Sequence, residues 1–238
     1  MPKLIFTFVF ACAGIVGIFF FLSPQPSLTP LWDLSNAWGY LAATLLLMLF
    51  IFTGRPLASP FYEGKFFMHL HRDLGFGIGL LIGLHIVFHI FNESEILEYI
   101  LPSAPWYMLA GVAATLSTTL ILLLSLIKVR RRIWSNHSRF KTYHFWIGAL
   151  ILILTGIHIL GSGFYSQTGW KRVAWCTLTV AALWMPYLVS RRSSKNSLGG
   201  GRVRNRANRA TLFAGAIIAF CLALSFLVVV VALLDFPL

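Results

Sequence analysis

The sequence predicts an all-α integral membrane protein with seven transmembrane helices. Hydrophobic residues make up 58% of the 238 residues and charged residues only 11%, whereas soluble domains are about one-quarter charged. Seven apolar runs approach or exceed the roughly 20 residues that a helix needs to cross the hydrocarbon core. They span residues 4–22, 34–52, 70–91, 106–127, 144–161, 173–190 and 212–234.

The first apolar run follows Lys3 and therefore resembles the start of a signal peptide. Its apolar stretch is longer than the roughly 7–15 residues of a signal-peptide hydrophobic region. We therefore predict that residues 1–30 hold a retained first transmembrane helix and an external loop.

The distribution of basic residues predicts the orientation of the helices. With a cytoplasmic amino terminus, all nineteen Lys and Arg residues except Lys171 and Arg172 lie on the cytoplasmic side, most of them in segments 128–141 and 191–209. Cytoplasmic loops carry an excess of Lys and Arg. We therefore expect a cytoplasmic amino terminus, an external carboxy terminus and a location in a plasma membrane, namely a bacterial inner membrane.

Two other kinds of site are disfavoured by the composition. The formal net charge of +12 would suit nucleic-acid binding, but the basic residues lie between apolar runs, so topology and contact with membrane lipid explain them better. The cysteines Cys12, Cys176 and Cys221 each lie in a different apolar run. This pattern indicates neither a disulfide framework nor a thiolate metal site.

Two pairs of histidines lie inside apolar runs. His71 and His85 are fourteen positions apart, and so are His144 and His158. Fourteen helical residues turn about 40° short of four full turns and rise about 21 Å, so each pair lies on nearly one face of its helix. Both helices run from inside to outside in the predicted topology, which brings His71 level with His144 and His85 level with His158. Intramembrane histidines are costly, and this pattern predicts two stacked, bis-histidine b-type haems in the core of the bundle.

Three other histidines compete with these four. His89 lies eighteen residues, or five turns, after His71 on the same face, but at that depth, about 27 Å away, the other helix has no histidine. We expect His89 to neighbour the ligands or to lie at the interface. His69 and His137 are expected to be solvated loop residues.

Glycine and arginine residues near the inner histidines extend the predicted haem sites. Gly75 follows His71 by four residues and Gly148 follows His144 by four, which leaves space for a macrocycle on each helix. Ordinary close packing of helices explains such glycines equally well. Arg72 and Arg139 are candidate partners of the haem propionates, although basic residues at such positions also determine topology.

Several of these residues together resemble the ferric reductase-like transmembrane domain superfamily. The resemblance is carried by Thr53–Leu57 (TGRPL), Arg72–Gly75 (RDLG), His85, Phe140–His144 (FKTYH) and His158. The superfamily includes ferric reductases, NADPH oxidases and the haem-bearing membrane subunit of the methionine sulfoxide reductase system.

The resemblance covers about residues 38–160 and implies electron transfer from a cytoplasmic donor, through an inner and then an outer haem b, to an external acceptor. His71 and His144 would ligate the inner haem, and His85 and His158 the outer one. Related oxidases usually continue into a flavin and nicotinamide domain, and no dinucleotide fingerprint occurs in this sequence. We therefore expect a separate cytoplasmic flavoprotein, or a membrane quinol, as donor.

The expected organisation places the haem-binding bundle at residues 31–190, a basic cytoplasmic loop at 191–210 and an additional carboxy-terminal transmembrane helix at 211–238. The predicted function is that of the cytochrome b subunit of an oxidoreductase. The alternative left open by the sequence is a non-catalytic scaffold or pigment-binding subunit of a larger respiratory or photosynthetic membrane complex.

Overall fold

The computed structural model describes residues 2–22, 29–53, 64–134, 136–190 and 203–234, and it is all-helical over these residues. A π-helical turn, Gly17–Phe21, continues the first helix, and a 3₁₀ segment, Ser94–Ile100, lies between the third and fourth helices. The α-helices are α1 Pro2–Val16, α2 Pro30–Thr53, α3 Gly64–Asn92, α4 Trp106–Ser125, α5 Ile127–Ile133, α6 His137–Ser162, α7 Gly169–Ser190 and α8 Val203–Leu233.

The prediction of an integral membrane protein is confirmed. Among the described residues, five helices are long and apolar enough to cross a membrane, namely α2, α3, α4, α6 and α8. Residues Ile5–Phe21 form a shorter apolar helix, and α7 carries several polar residues and is not among the five. Seven spans and a di-haem core therefore stay predictions.

The two helices that carry the paired histidines begin earlier than the hydropathy pattern predicts. The apolar runs that start at Leu70 and His144 belong to helices that start at Gly64 and His137. The side chain of Asn136 caps α6 by accepting a hydrogen bond from the backbone N–H of Ser138, 2.8 Å away. The first turn of α6 is polar, and a hydropathy pattern does not include such a turn in the predicted helix.

The expected loop before the second histidine helix is partly helical. Leu126 adopts an extended conformation and ends α4, after which Ile127–Ile133 form the short basic helix α5. The predicted positions of His69 and His137 in loops are wrong, because His69 lies in α3 and His137 is the first residue of α6.

The chain forms two compact units, Met1–Phe88 with Val180–Leu238, and His89–Thr179. In the first unit α2 packs against α1 and α8. The ring of Phe8 on α1 stacks on Phe52 of α2 with 5.2 Å between centroids, and it meets Phe213 of α8 edge-on at 6.0 Å. The C-terminal helix is thus part of the packing of this unit.

The second unit is organised by the packing of α4 on α6. The buried residues of α4 are Ala110, Ala114 and Thr118, which are four residues apart and form one face. Small residues on a helix face allow the backbones to approach closely. On α6, Gly148 and Gly156 are buried in the same unit.

Candidate functional site

His85 of α3 is held by the backbone of α2. Its ring nitrogen Nδ1 lies 2.8 Å from the carbonyl oxygen of Ser35. In return, the Ser35 hydroxyl donates a hydrogen bond of 2.6 Å to the carbonyl oxygen of His85. The two residues therefore bond to each other in both directions across the two helices, which fixes the position of the imidazole.

The ring of His85 lies directly against Gly39, one turn after Ser35. A Cβ atom at Gly39 would lie 2.9 Å from Nδ1 of His85 and 3.0 Å from Cε1. Real Cβ atoms essentially never approach other atoms so closely. Glycine at this position is therefore required for the observed place of the ring.

The second unit repeats this arrangement at His158. Nδ1 of His158 lies 3.1 Å from the carbonyl oxygen of Tyr107 on α4. The ring lies against Gly111, one turn after Tyr107, where a Cβ would be 2.7 Å from Nδ1 and 2.9 Å from Cε1. The same three elements, a histidine, a carbonyl group and a glycine four residues later, thus occur in both units.

These contacts determine which ring nitrogen of each histidine can bind a metal. A carbonyl oxygen only accepts hydrogen bonds, so Nδ1 of His85 and of His158 is the nitrogen that donates. Histidine ligands of metals are typically oriented by a carbonyl or carboxylate on the other nitrogen. Both residues therefore fit the axial ligation of a haem iron through Nε2.

Residues 38–137 match the family described as ferric reductase like transmembrane component. These residues are a ferric reductase-like transmembrane domain. The resemblance predicted from the sequence is confirmed, including its start at residue 38, although the match ends at 137 rather than near 160. No curated protein and no solved structure matches the chain.

The ferric reductase-like domain, as matched, includes His71 and His85 but ends before His144 and His158. Both members of each pair share one helix, α3 for the first pair and α6 for the second. His71 and His85 lie in one compact unit, and His144 and His158 lie in the other.

His144 is half-buried on α6, near the end of α4. Its Nδ1 lies 3.4 Å from the hydroxyl oxygen of Ser125. That hydroxyl donates its own proton to the carbonyl of Ile121 at 2.6 Å, so it is an acceptor for Nδ1, in a longer contact than those of His85 and His158. An apolar crevice beside His144 is lined by Ile121, Leu124, Trp134, Phe140, Tyr143 and Ile147.

His71 is half-buried on α3, and its ring centroid lies 6.2 Å from that of Phe67. The neighbouring Arg72 is exposed, and its Nε donates to Oδ1 of Asp73 at 2.7 Å. The other carboxylate oxygen of Asp73 accepts a hydrogen bond of 2.7 Å from Thr211 of α8. The predicted propionate partner Arg72 is therefore engaged by a carboxylate next to it.

The remaining predicted residues are placed as follows. Gly75 is partly exposed on α3, Gly148 is buried on α6, and Arg139 is exposed in the first turn of α6. His89 is buried, at 8% exposure, near the end of α3. Their predicted roles around a haem stay predictions.

The predicted loop 191–210, apart from the start of α8 at Val203, lies outside the described residues, as does Arg55 of the TGRPL motif.

The two basic residues predicted to be external differ in their surroundings. Lys171 is 1% exposed, and burial lowers the pKa of its ammonium group. Its ammonium nitrogen lies 5.8 Å from the ring centroid of Trp170. Arg172 is exposed, and its Nε donates to the carbonyl of Ser166 at 3.1 Å. Lys171 is thus part of the packed interior of its unit.

The glycines and carbonyl groups that hold His85 and His158 were not among the residues predicted from the sequence. A signal for them exists, because Gly111 follows Gly39 by 72 positions, while His144 follows His71 and His158 follows His85 by 73 positions. The two intervals differ by one residue, so only a comparison of the two helix pairs that allows such an offset could use this signal.

Proposed function

We propose that this chain carries electrons across a membrane through two bis-histidine b-type haems, as the membrane subunit of an oxidoreductase. A ferric reductase-like membrane domain implies transmembrane electron transfer by haem. The observation that carries the finer proposal is the repeated arrangement of His85 and His158. Each has Nδ1 bound to a backbone carbonyl, at 2.8 and 3.1 Å, and a glycine against the ring one turn after that carbonyl.

In this proposal His85 and His158 ligate one haem, and His71 and His144 ligate the other. The equal spacing of fourteen residues on both helices supports the pairing. The equal surroundings of His85 and His158 also favour His85 over its neighbour His89 as the ligand. Gly75 and Gly148 supply space beside the inner ligands, and Arg72 and Arg139 lie near enough in sequence to serve haem propionates.

Haem b, when bound, supplies a one-electron iron couple. Two histidines for each haem would leave no position on the iron for a substrate, so the residues would favour electron transfer over binding of a substrate to the metal. The carbonyls of Ser35 and Tyr107 orient the imidazoles and increase their basicity through Nδ1. The apolar side chains of the helices would keep water away from the haems.

The cytoplasmic side is the proposed entry for electrons. Segment 128–141 has six basic residues and no acidic one, and it leads directly to the inner histidine His144. Five of the basic side chains are exposed, namely those of Lys128, Arg131, Arg132, Arg139 and Lys141. Such a segment is typical of a cytoplasmic surface, and its charge suits an acidic flavoprotein as donor. A membrane quinol is the alternative donor. The proposal also includes an external acceptor and a place in a larger bacterial inner-membrane complex.

The test is haem stoichiometry in the purified chain, measured by pyridine haemochrome and reduced-minus-oxidised spectra. We expect two b-type haems per chain in the wild type. The variants His85→Ala and His158→Ala should each lose one haem, and His71→Ala and His144→Ala should lose the other. His137→Ala is the matched control, because this histidine is exposed at the start of α6, and it should retain both haems.

Two outcomes would contradict the proposal. One is a wild-type chain without haem when it is expressed with an adequate haem supply. The other is full haem content in His85→Ala together with loss of one haem in His89→Ala, which would move the ligand one turn along α3.

A further inference from the structure

The helix pairs α2–α3 and α4–α6 hold their histidines in the same way. Nδ1 of His85 bonds to a carbonyl 50 residues earlier in the chain, and Nδ1 of His158 bonds to one 51 residues earlier. In each case the glycine against the ring follows the carbonyl residue by four positions. One helical turn separates the two, so the carbonyl and the bare glycine surface lie on the same helix face.

We propose that Gly39 and Gly111 are positioning residues, Gly39 for His85 and Gly111 for His158, the two histidines that the proposed function assigns to one haem. The proposal rests on the proposed function. It deepens that function by naming the residues that set the orientation of the imidazoles and the reduction potential of one haem but not of the other.

The first step of the argument is steric. The ring of each histidine occupies the volume that a Cβ of the glycine would need, with distances of 2.9 Å at Gly39 and 2.7 Å at Gly111 to Nδ1. The atom that meets the Cβ is the same nitrogen that donates to the carbonyl one turn earlier. A methyl group at either glycine would therefore displace the ring away from its acceptor.

The second step concerns the properties of the ligand. A hydrogen bond from Nδ1 to a carbonyl makes the imidazole a stronger electron donor to a metal, which favours the oxidised iron. Loss of that bond weakens the donation and favours the reduced iron. The reduction potential of the haem that uses the displaced histidine should therefore rise.

The third step uses the pairing of the proposed function, in which His85 and His158 ligate the same haem. Of the four histidines, His85 and His158 have a ring against a glycine of another helix among the glycine surroundings that the structure describes. His144 instead meets the hydroxyl of Ser125 at 3.4 Å. Changes at Gly39 and Gly111 should therefore alter the haem of His85 and His158 and leave the haem of His71 and His144 unchanged.

The test compares Gly39→Ala and Gly111→Ala with Gly83→Ala. Gly83 lies on α3, two residues before His85, and within the described part of the chain no atom approaches its Cβ position within 4 Å. Each purified protein is measured by pyridine haemochrome, by potentiometric titration and by low-temperature EPR of the ferric low-spin haems. These readouts are independent of any enzymatic turnover.

We expect the same one of the two EPR signals to change in Gly39→Ala and Gly111→Ala, with a higher midpoint potential for that haem or a loss of half of the haem. Gly83→Ala should match the wild type. If the added methyl group prevents folding, Ser35→Ala decides, because it adds no volume and removes the 2.6 Å bond to the carbonyl of His85. It should change the same EPR signal, to a smaller extent.

Unchanged spectra and potentials in both glycine variants, or a change in different haems by the two variants, would overturn this inference while leaving the proposed function intact. For Ser35→Ala, used in place of a variant that does not fold, an unaltered spectrum would have the same effect. A wild-type chain that binds no haem would overturn the proposed function itself, and the inference with it.

Discussion

Replacement of Gly161 by alanine should destabilise the second unit more than alanine at other helical glycines. A Cβ at Gly161 on α6 would overlap the Cβ of Tyr107 on α4 and lie 2.5 Å from its Cγ. The Cβ and Cγ of a side chain stay close to their own backbone in every rotamer, so the two helices must move apart. Tyr107 is also the residue whose carbonyl holds His158, and the movement should disturb that histidine.

The expected loss of stability can be estimated by comparing alanine substitutions at three glycines. Overpacking a well-packed interior costs about 1–3 kcal/mol, and we expect this cost for Gly161→Ala relative to Gly83→Ala, whose Cβ meets no atom within 4 Å in the described structure. At Gly77 the Cβ would meet the end of the Ile218 side chain, with Cδ1 at 2.5 Å and Cγ1 at 2.8 Å. That side chain can rotate, at a cost of about 1 kcal/mol or less.

The assay is thermal unfolding of the three purified variants in the same detergent. One kcal/mol corresponds to about 2–4 °C for a chain of this size, so Gly161→Ala should unfold roughly 2–12 °C below Gly83→Ala, with Gly77→Ala between them. Gly161→Ala should also lose the haem assigned to His158. Equal unfolding temperatures for Gly161→Ala and Gly83→Ala would refute the close approach of α4 and α6 at Tyr107.

Two further predictions concern contacts of the C-terminal helix. The Sγ atoms of Cys12 and Cys221 lie 3.7 Å apart, so mild oxidation of the membranes with copper phenanthroline should join α1 to α8 by a disulfide. After cleavage of the chain by a protease, a non-reducing gel should show the two fragments linked in Cys176→Ala and not in Cys221→Ala. Absence of the link from Cys176→Ala would contradict the packing. Thr211→Val should lower the free energy of unfolding by about 1 kcal/mol, because Asp73 loses a hydrogen bond of 2.7 Å; an unfolding temperature equal to that of the wild type would show that the bond contributes nothing.

The sequence predicted the helices well where they are apolar and poorly where they leave the apolar region. Hydropathy located the central parts of α3 and α6, but it missed six or seven residues at the start of each helix. The first turn of α6, from His137, is polar, and α3 begins with Gly64 and Lys65 ahead of its apolar residues. Hydropathy also missed α5, whose basic residues resemble a loop by composition. Hydrophobic periodicity reports where a helix is buried, and capping and backbone geometry decide where it begins.

Prediction of the candidate site from the sequence was limited in a similar way. The histidines could be found because a fixed spacing on one helix determines their relative height and face. Gly39 and Gly111 could not be found by that argument, because their importance depends on a ring from another helix. For the same reason the cysteine pattern could not reveal that Cys12 and Cys221, 209 residues apart in sequence, are adjacent in the fold.

His158 lies outside the family match, which ends at residue 137, so its proposed role depends on its likeness to His85 in the structure. His85 lies within the match, and its ring is held by a carbonyl group and a glycine one turn apart. His158 is held by the same two groups in the same order, 51 residues after its carbonyl group compared with 50 for His85. Because a chance contact would not be expected to reproduce the acceptor, the glycine and the spacing together, the role proposed for His85 extends to His158. The two residues should therefore respond alike to substitution, and a variant of either one should remove the same haem.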